Sequence, residues 1–328
     1  MMAENAGDPP QSDVPARYFV RRAVREFSAD QCTDLAAGLT YYAMLAFFPA
    51  VIALVSLPAL IGQQDETRDA LFELVDQFMP PELAQDMYGP IERLTQVPGA
   101  GLGLVLGLVG ALWAASGYIG AFGRAMNRIY GIAEGRPFWK LRPVMVLITI
   151  VAVLLVVVTA VLMTVTGPLA RAVGDAIGLG ETTTLVWDIA KWPVLVVLVL
   201  MVIALLYHAT PNVRQPRLRW ISWGALVAFV VWAVASAGFG FYVANFANYD
   251  RTYGSLAGVI IFLLWLWITN VALLFGAELD VELERRRELM AGMEAEQSIQ
   301  LPPRDTRTSE KAAAKESDDV ERARKMRS

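Results

Sequence analysis

Histidine and cysteine are almost absent from this chain, which has one of each, His208 and Cys32. A lone cysteine excludes a disulfide within the chain and any Cys-x-x-Cys metal motif. A lone histidine excludes the histidine clusters that hold many catalytic metals. The sequence therefore predicts no cofactor and no metal site.

Charge is scarce as well: 18% of the residues are charged and 55% are hydrophobic, whereas a soluble domain has about a quarter charged residues. Six long apolar runs contain no Asp, Glu, Lys or Arg. A bilayer core of about 30 Å is crossed by roughly 20 apolar helical residues. We predict an all-α membrane protein with six transmembrane helices, at about 35–61, 101–122, 144–166, 193–209, 220–246 and 252–277.

The loops alternate between many and few basic residues. The N-terminal flank and the loops after the second, fourth and sixth runs hold 4, 5, 3 and 3 Lys or Arg, whereas the other three loops hold 2, 2 and 1. Lys and Arg accumulate on the cytoplasmic side of membrane proteins. We therefore predict that both termini face the cytoplasm.

The two ends of the chain differ in composition from the spans. Residues 1–16 are polar and contain three prolines, so we expect a disordered N-terminus and no secretory signal peptide. Residues 17–290 form the predicted six-helix domain. Residues 291–328 combine dense mixed charge with few apolar residues, which predicts a disordered cytoplasmic tail. A role for its basic residues in binding lipid headgroups or nucleic acid is the alternative to plain solvation.

The first predicted outer loop, residues 62–100, has apolar residues at helical spacing with acidic residues between them. Pro81 and Glu82 are typical of the opening turn of a second helix. We predict an amphipathic helical loop on the outer side. It is either an acidic lid over an outward-facing cavity or a pair of helices that cap the bundle or lie on the membrane surface.

Few polar side chains interrupt the predicted spans. Asn270 lies well inside the sixth, and its amide is expected to bond to a neighbouring helix or to contact a substrate. Pro49 lies inside the first span and predicts a kink near Ala46. Arg124 and Arg128 are expected at the inner headgroup level, where they either anchor the helix or meet a phosphate.

Several segments together resemble the YihY/BrkB family of bacterial inner-membrane proteins, over about residues 19–289. They are 36–43 (AAGLTYYA) followed by Phe48 and Pro49, 125–131 (AMNRIYG), 136–139 (RPFW), 207–211 (YHATP), 253–256 (YGSL), 264–267 (LWLW) and 276–279 (GAEL). The resemblance implies a six-helix fold in the bacterial inner membrane. It also implies a family of unsettled activity, with a ribonuclease label attached and withdrawn, and with some relatives connected to envelope lipid export.

The residues themselves argue against a ribonuclease. Phosphodiester hydrolysis usually needs a metal held by clustered carboxylates or histidines, or a histidine acid–base pair. The chain has one histidine and no carboxylate cluster in a region expected to form a cavity. We therefore expect a protein that is not an enzyme and that binds no nucleic acid.

Two functional hypotheses stay open. The first is a transporter or lipid flippase with an envelope role, whose partners are membrane lipids and a lipid or small-molecule substrate. The second is a structural or scaffolding membrane protein without transport activity. The expected substrate path of the first comprises Tyr41, Tyr42, Pro49, Arg124, Asn127, Arg128, Tyr130, Tyr253, Gly254, Asn270 and Glu278.

Overall fold

The computed structural model describes residues 16–55, 69, 72, 88–89, 100–164, 182–215, 222–246 and 257–327. Within these ranges the chain forms eight long α-helices and one isolated bridge, between Val213 and Pro303. The helices are α1 Ala16–Ala29, α2 Cys32–Val55, α3 Ala100–Ile129, α4 Phe138–Thr164, α5 Thr182–Ala209, α6 Trp223–Phe246, α7 Ala257–Met290 and α8 Arg307–Arg327. The predicted all-α class is confirmed for this part of the chain.

Each predicted span coincides with one of the helices α2 to α7. Among the residues that the structure describes, four segments are long and apolar enough to cross a membrane by length and composition, namely Phe138–Thr159, Ile189–Ala209, Trp223–Asn245 and Ala257–Met290. The full set of six spans, and the cytoplasmic placement of both termini, stay predictions.

Most of the predicted amphipathic outer loop lies outside the described residues. Asp69, Phe72, Tyr88 and Gly89 are described and are helical. The rings of Phe72 and Tyr88 meet edge to face with 4.8 Å between their centroids. This contact joins the two stretches that the sequence predicts as separate helices.

Helices α3, α4, α5 and α7 extend beyond the predicted apolar runs. Helix α3 continues to Ile129, beyond the predicted end at 122, and α7 continues to Met290, beyond 277. Helix α5 begins at Thr182, before the predicted start at 193. Helix α4 begins at Phe138, before the predicted start at 144, so that Arg142 lies on the helix and not in a loop. Some polar side chains of these extensions bond to neighbouring segments, such as Asn127 of α3 and Asp280 of α7.

The helices pack in a closed ring in chain order. Helix α2 contacts α3, and the contacts continue from α3 through α4, α5 and α6 to α7. Helix α7 packs in turn against α2, which closes the ring, while α1 lies mainly against α7. The first and last predicted spans are therefore direct neighbours.

Helices α6 and α7 cross with their backbones in close contact at Gly224 and Gly276. A Cβ added to Gly276 would lie 2.5 Å from Gly224 O and 2.5 Å from the Cβ of Ala228. The Gly224 N–H donates to Asp280 Oδ1 at 2.8 Å. Small residues allow such an approach in membranes, where apolar surface gives helices little reason to associate.

The buried core lies toward the polar ends of the helices. Phe122 and Met126 of α3, Met145 of α4 and Leu274 of α7 are almost fully buried. By contrast, apolar side chains further along α4, such as Leu154, are exposed. A soluble protein would bury such residues, whereas lipid accommodates them.

Residues 291–306, assigned to the tail by composition, pack against the polar ends of the helices. The chain turns at Gly292, which has a φ of 76°. The side chains of Ala295 and Ile299 are then buried, and the Gln300 N–H donates to Glu288 Oε2 at 3.0 Å. A few apolar contacts and backbone hydrogen bonds hold this segment in place. The average composition of the tail does not reveal such contacts.

Helix α8, Arg307–Arg327, has no buried residue. Its alanines and long charged side chains favour a helix by intrinsic propensity. Lys325 and Glu321, one turn apart, approach to 2.8 Å. Arg307–Arg327 is thus a solvated helix in the structure.

Candidate functional site

Asn270 is buried where α2, α3 and α7 meet. Tyr118 Oη donates to Asn270 Oδ1 at 2.9 Å, and Asn270 Nδ2 donates to Thr40 Oγ1 at 3.2 Å. Thr40 is bonded within its own helix to Ala36 O at 2.8 Å. The amide oxygen and the amide nitrogen of Asn270 are therefore both hydrogen-bonded to neighbouring helices. Of the two roles expected for this residue, these contacts match the bond between helices.

Glu278 is an enclosed acid at the polar end of α7. Its side chain is 1% exposed, and its Oε1 accepts a hydrogen bond from Cys32 Sγ at 3.5 Å. Asp30, in the turn between α1 and α2, is a second acid beside it.

The turn that carries Asp30 is fixed by Arg128 from the end of α3. Arg128 Nε lies 3.7 Å from Asp30 Oδ1, and Arg128 Nη2 donates to Gln31 Oε1 at 3.1 Å. Gln31 has a φ of 55°, a left-handed conformation that costs free energy for a residue with a side chain. Burial raises the pKa of Asp30, although the positive charge of Arg128 acts to lower it. Burial and the negative charge of Glu278 both raise the pKa of Cys32.

Asn127 and Tyr130, also near the end of α3, are buried in contacts with the segment after α5. Asn127 Oδ1 accepts from the Asn212 N–H at 2.7 Å, and Asn127 Nδ2 donates to Glu134 Oε2 at 2.9 Å. Tyr130 Oη accepts from Gln215 Nε2 at 3.1 Å. These two side chains connect loops and are not open to a substrate.

Arg136 completes this connection with a two-pronged ion pair. Its Nε and Nη2 donate to the two carboxylate oxygens of Glu134 at 2.8 and 2.7 Å, and Nη2 also donates to Thr210 O at 2.8 Å. Burial alone would raise the pKa of Glu134, but the hydrogen bonds and charge of Arg136 outweigh it and lower that pKa. Such a fork is among the strongest pairings that side chains form.

Tyr41, Tyr42 and Arg124 form an exposed surface on α2 and α3. The Arg124 guanidinium lies 5.7 Å above the centroid of the Tyr42 ring, and Tyr41 is 62% exposed beside it. The Tyr42 ring and Arg124 Nη1 pack over Gly117 and Gly120 of α3, where an added Cβ would lie 3.6 and 3.8 Å from them. This surface offers a cation and two aromatic rings to an anionic or amphipathic ligand.

The structure divides the expected substrate path among separate places. The surface just described gathers three of its residues, and Asp30 links Arg128 to Glu278, while Asn127, Tyr130 and Asn270 are buried elsewhere in polar contacts. Tyr253 and Gly254 lie outside the described residues, as does the side chain of Pro49.

An apolar cleft of about 480 Å³ lies between α6 and α7, away from these residues. It is lined by Ser236, Phe239, Gly240, Val243, Ala244, Gly258, Ile261, Phe262 and Trp265. Trp265 Nε1 donates to Ser236 Oγ at 3.2 Å, which leaves the lining mainly hydrocarbon. The cleft contains no residue of the expected path.

Three residues near the polar ends of the helices were not predicted from the sequence: Asp30, Cys32 and Asn212. Cys32 counted only as a lone thiol, although it lies two residues from an acid at the start of an apolar run. Asn212 follows Pro211 directly after the fourth run, and a polar residue at such a junction signals a loop contact. Among the residues that the structure describes, no group of three His, Cys, Asp or Glu side chains is placed to hold a metal ion.

A sequence model of the family described as "Virulence factor BrkB" matches residues 23–299. This chain belongs to the BrkB family. The match covers α2 to α7 together with the second half of α1, and it ends in the docked segment that follows α7. The chain is therefore a membrane protein of the BrkB type, with apolar helices long enough to span a bilayer.

Individual relatives agree with the BrkB assignment. The ribonuclease-like protein YfkH of Bacillus subtilis is 28% identical over 271 residues, which cover 83% of this chain and 97% of that protein. A UPF0761 membrane protein of Alkalilimnicola ehrlichii is 31% identical over 79% of this chain and 57% of its own length. One from Chromobacterium violaceum is 27% identical over 79% of this chain and 60% of its own.

This chain thus spans about three-fifths of the UPF0761 relatives it matches. Those relatives are named only as membrane proteins, whereas the Bacillus protein carries a ribonuclease-like name. No solved structure matches the chain.

Proposed function

We propose that this protein is a transporter of the bacterial inner membrane, either a lipid flippase or a carrier of small amphipathic molecules, with a role in the cell envelope. The observation that carries the proposal is the exposed surface of Tyr41, Tyr42 and Arg124. Membership of a membrane-protein family and four helices apolar enough to span a bilayer support the setting.

The chemistry of this surface suits a phosphate or carboxylate on an amphipathic molecule. Arg124 has no carboxylate within 4.0 Å among the described residues, so its charge is available to a ligand. The guanidinium donates up to five hydrogen bonds and matches the geometry of an anionic headgroup.

The other residues of the expected path have supporting roles in this proposal. Asn270 holds α2, α3 and α7 together, and Arg128 fixes the turn that carries Asp30.

Reconstitution tests the proposal directly. Purified protein in proteoliposomes is assayed for movement of labelled phospholipids between leaflets and for uptake of candidate anionic solutes. Arg124→Gln and Tyr42→Leu are expected to slow transport at least severalfold, because each removes one half of the cation–π contact. Arg322→Gln, on the exposed helix α8, is the matched control. Wild-type protein that moves neither lipids nor solutes would count against transport.

A scaffolding role without transport is the second candidate, and one observation favours it. Helix α8 exposes every residue to solvent, as an arm that recruits a partner would. Deletion of residues 307–328 would then abolish copurification of one defined partner and leave lipid movement unaffected. We propose no enzymatic role; purified protein that degrades RNA in the presence of Mg²⁺ would contradict this.

A further inference from the structure

Arg142 lies inside a segment that is long and apolar enough to cross a membrane, Phe138–Thr159. Its guanidinium carbon lies 4.2 Å from the centroid of the Trp113 ring of α3. Its Nη2 donates to Trp113 O at 3.3 Å, at the exposed surface of the helix pair. A charged side chain at such a position is costly unless an anion compensates it.

No protein group compensates this charge in the described part of the chain. The neighbouring cations on the same stretch are paired: Lys140 Nζ lies 3.7 Å from Asp305, and Arg136 Nη2 lies 2.7 Å from Glu134. Arg142 has no carboxylate within 4.0 Å among the described residues, and its Nε is buried without a hydrogen-bond partner. It uses one of its five N–H donors.

The surroundings of Arg142 have the character of a membrane interface. Phe138 and Trp139, at the start of α4, are 68% and 72% exposed, as expected of aromatic residues at headgroup level. Beyond the guanidinium, Val109 of α3 and Val153 of α4 are 57% and 36% exposed. They lie on the same helix faces as Trp113 and Arg142, so an apolar track leads from the charge along both helices.

We propose that Arg142 and Trp113 form a binding site for the phosphate of an anionic membrane phospholipid. The guanidinium pairs with the phosphodiester, the indole ring supports the guanidinium from below, and the acyl chains follow the track past Val109 and Val153. A planar guanidinium binds phosphate oxygens two at a time, which a lysine does not. The site goes beyond the proposed transport, because a resident lipid binds here whether or not the protein moves a substrate.

The charges around the Arg142 guanidinium favour an anionic lipid over a zwitterionic one. The guanidinium is positive and uncompensated, and no described carboxylate lies within 4.0 Å of it to attract the ammonium group of a zwitterionic headgroup. Arg142, on α4, contacts α3 at Trp113, which lies three turns from Arg124, so the two arginines occupy separate positions. Substitution of one therefore leaves the other in place.

Native mass spectrometry of the full chain in detergent tests the site. Phosphatidylglycerol and phosphatidylcholine with identical acyl chains are titrated separately into wild type, Arg142→Gln, Arg142→Lys and Trp113→Leu. We expect wild type to retain phosphatidylglycerol in preference to phosphatidylcholine. Arg142→Gln is expected to weaken phosphatidylglycerol binding about tenfold, the loss that corresponds to one charge-assisted contact. Arg142→Lys keeps the charge and the packing but loses the fork, and is expected to show a smaller loss.

The matched control is Arg322→Gln, on the exposed helix α8, which should bind both lipids as wild type does. Equal phosphatidylglycerol binding by wild type, Arg142→Gln and Arg142→Lys would overturn the proposal, as would an equal loss in Arg322→Gln. If inorganic phosphate at millimolar concentration displaces the bound lipid, the site is one for free phosphate and the lipid assignment is wrong. We expect Arg142→Lys to keep the helix pair folded. This variant therefore still tests the site if Arg142→Gln does not fold.

Discussion

Replacement of Asn212 by alanine tests whether the segment after α7 is part of the folded protein. Asn212 is fully buried and its side chain makes three hydrogen bonds: Nδ2 donates to Ala133 O at 3.1 Å and to Asp305 O at 2.8 Å, and Oδ1 accepts from the Asp305 N–H at 3.1 Å. Two of the three reach residues 291–306. Alanine removes all three and leaves their partners unsatisfied.

The expected cost follows from this count. A neutral hydrogen bond contributes about 1 kcal/mol net, so the two that hold the segment amount to about 2 kcal/mol. Because 1.4 kcal/mol is a factor of ten, the population with the segment undocked is expected to rise about 30-fold. The main-chain contacts remain, including the Arg304 N–H to Asn212 O at 3.0 Å, so undocking stays reversible.

Limited proteolysis in detergent measures this population, because cleavage follows the fraction of open molecules when opening is fast. The Asn212→Ala variant is expected to lose residues 291–328 about 30 times faster than wild type. Asn245→Ala is the matched control: this exposed asparagine bonds only within its own helix, to Phe241 O at 2.8 Å, and its loss should change the rate less than twofold. A rate for Asn212→Ala within threefold of wild type would refute the reasoning.

Two further predictions concern the packing and the acid side. Gly276→Ala places a Cβ 2.5 Å from that of Ala228 and is expected to destabilise the bundle by about 1–3 kcal/mol. A Cβ at Gly238 meets nothing within 4 Å, so Gly238→Ala should stabilise the bundle by about 0.5–1 kcal/mol. Equal thermal unfolding of the two variants would contradict this prediction. Because the pKa of Glu134 in the folded protein is lowered from 4.5, its pairing with Arg136 stabilises the fold above that pH and is lost as the pH falls through the folded value. Glu134→Gln should therefore unfold at a lower temperature than wild type at pH 7, and the difference should shrink toward pH 3; a constant difference would count against the ion pair.

The apolar middles of the helices were predictable because hydrophobic length alone decides them. Their polar extensions were not, because each depends on a partner far away in sequence. Residues after 122 remain helical in α3 because Asn127 bonds to Asn212, and α7 continues past 277 while Glu278 is enclosed by Asp30. No local pattern marks such partners.

The candidate site was predictable in part for the same reason. Tyr42 and Arg124 lie on different helices, and residue chemistry together with family resemblance selected both before their contact was known. Asn270 was correctly expected to need a partner inside the bundle, but Tyr118 as that partner emerges only from the fold. Arg142 was not predicted as a site residue because the third span was predicted to start at 144, which placed Arg142 in a loop. A basic residue in a loop needs no functional explanation.

The closure of the ring between α2 and α7 has a consequence for biosynthesis. The ribosome delivers the first of these helices long before the last, yet Trp267 Nε1 of the last donates to Thr33 O of the first at 3.2 Å. Throughout the interval the early helix lacks the neighbour that covers Cys32 and bonds to Thr40. Folding is therefore completed only when the final span arrives, and a nascent chain stalled before residue 257 holds an unfinished bundle that insertion or quality-control factors have to shield.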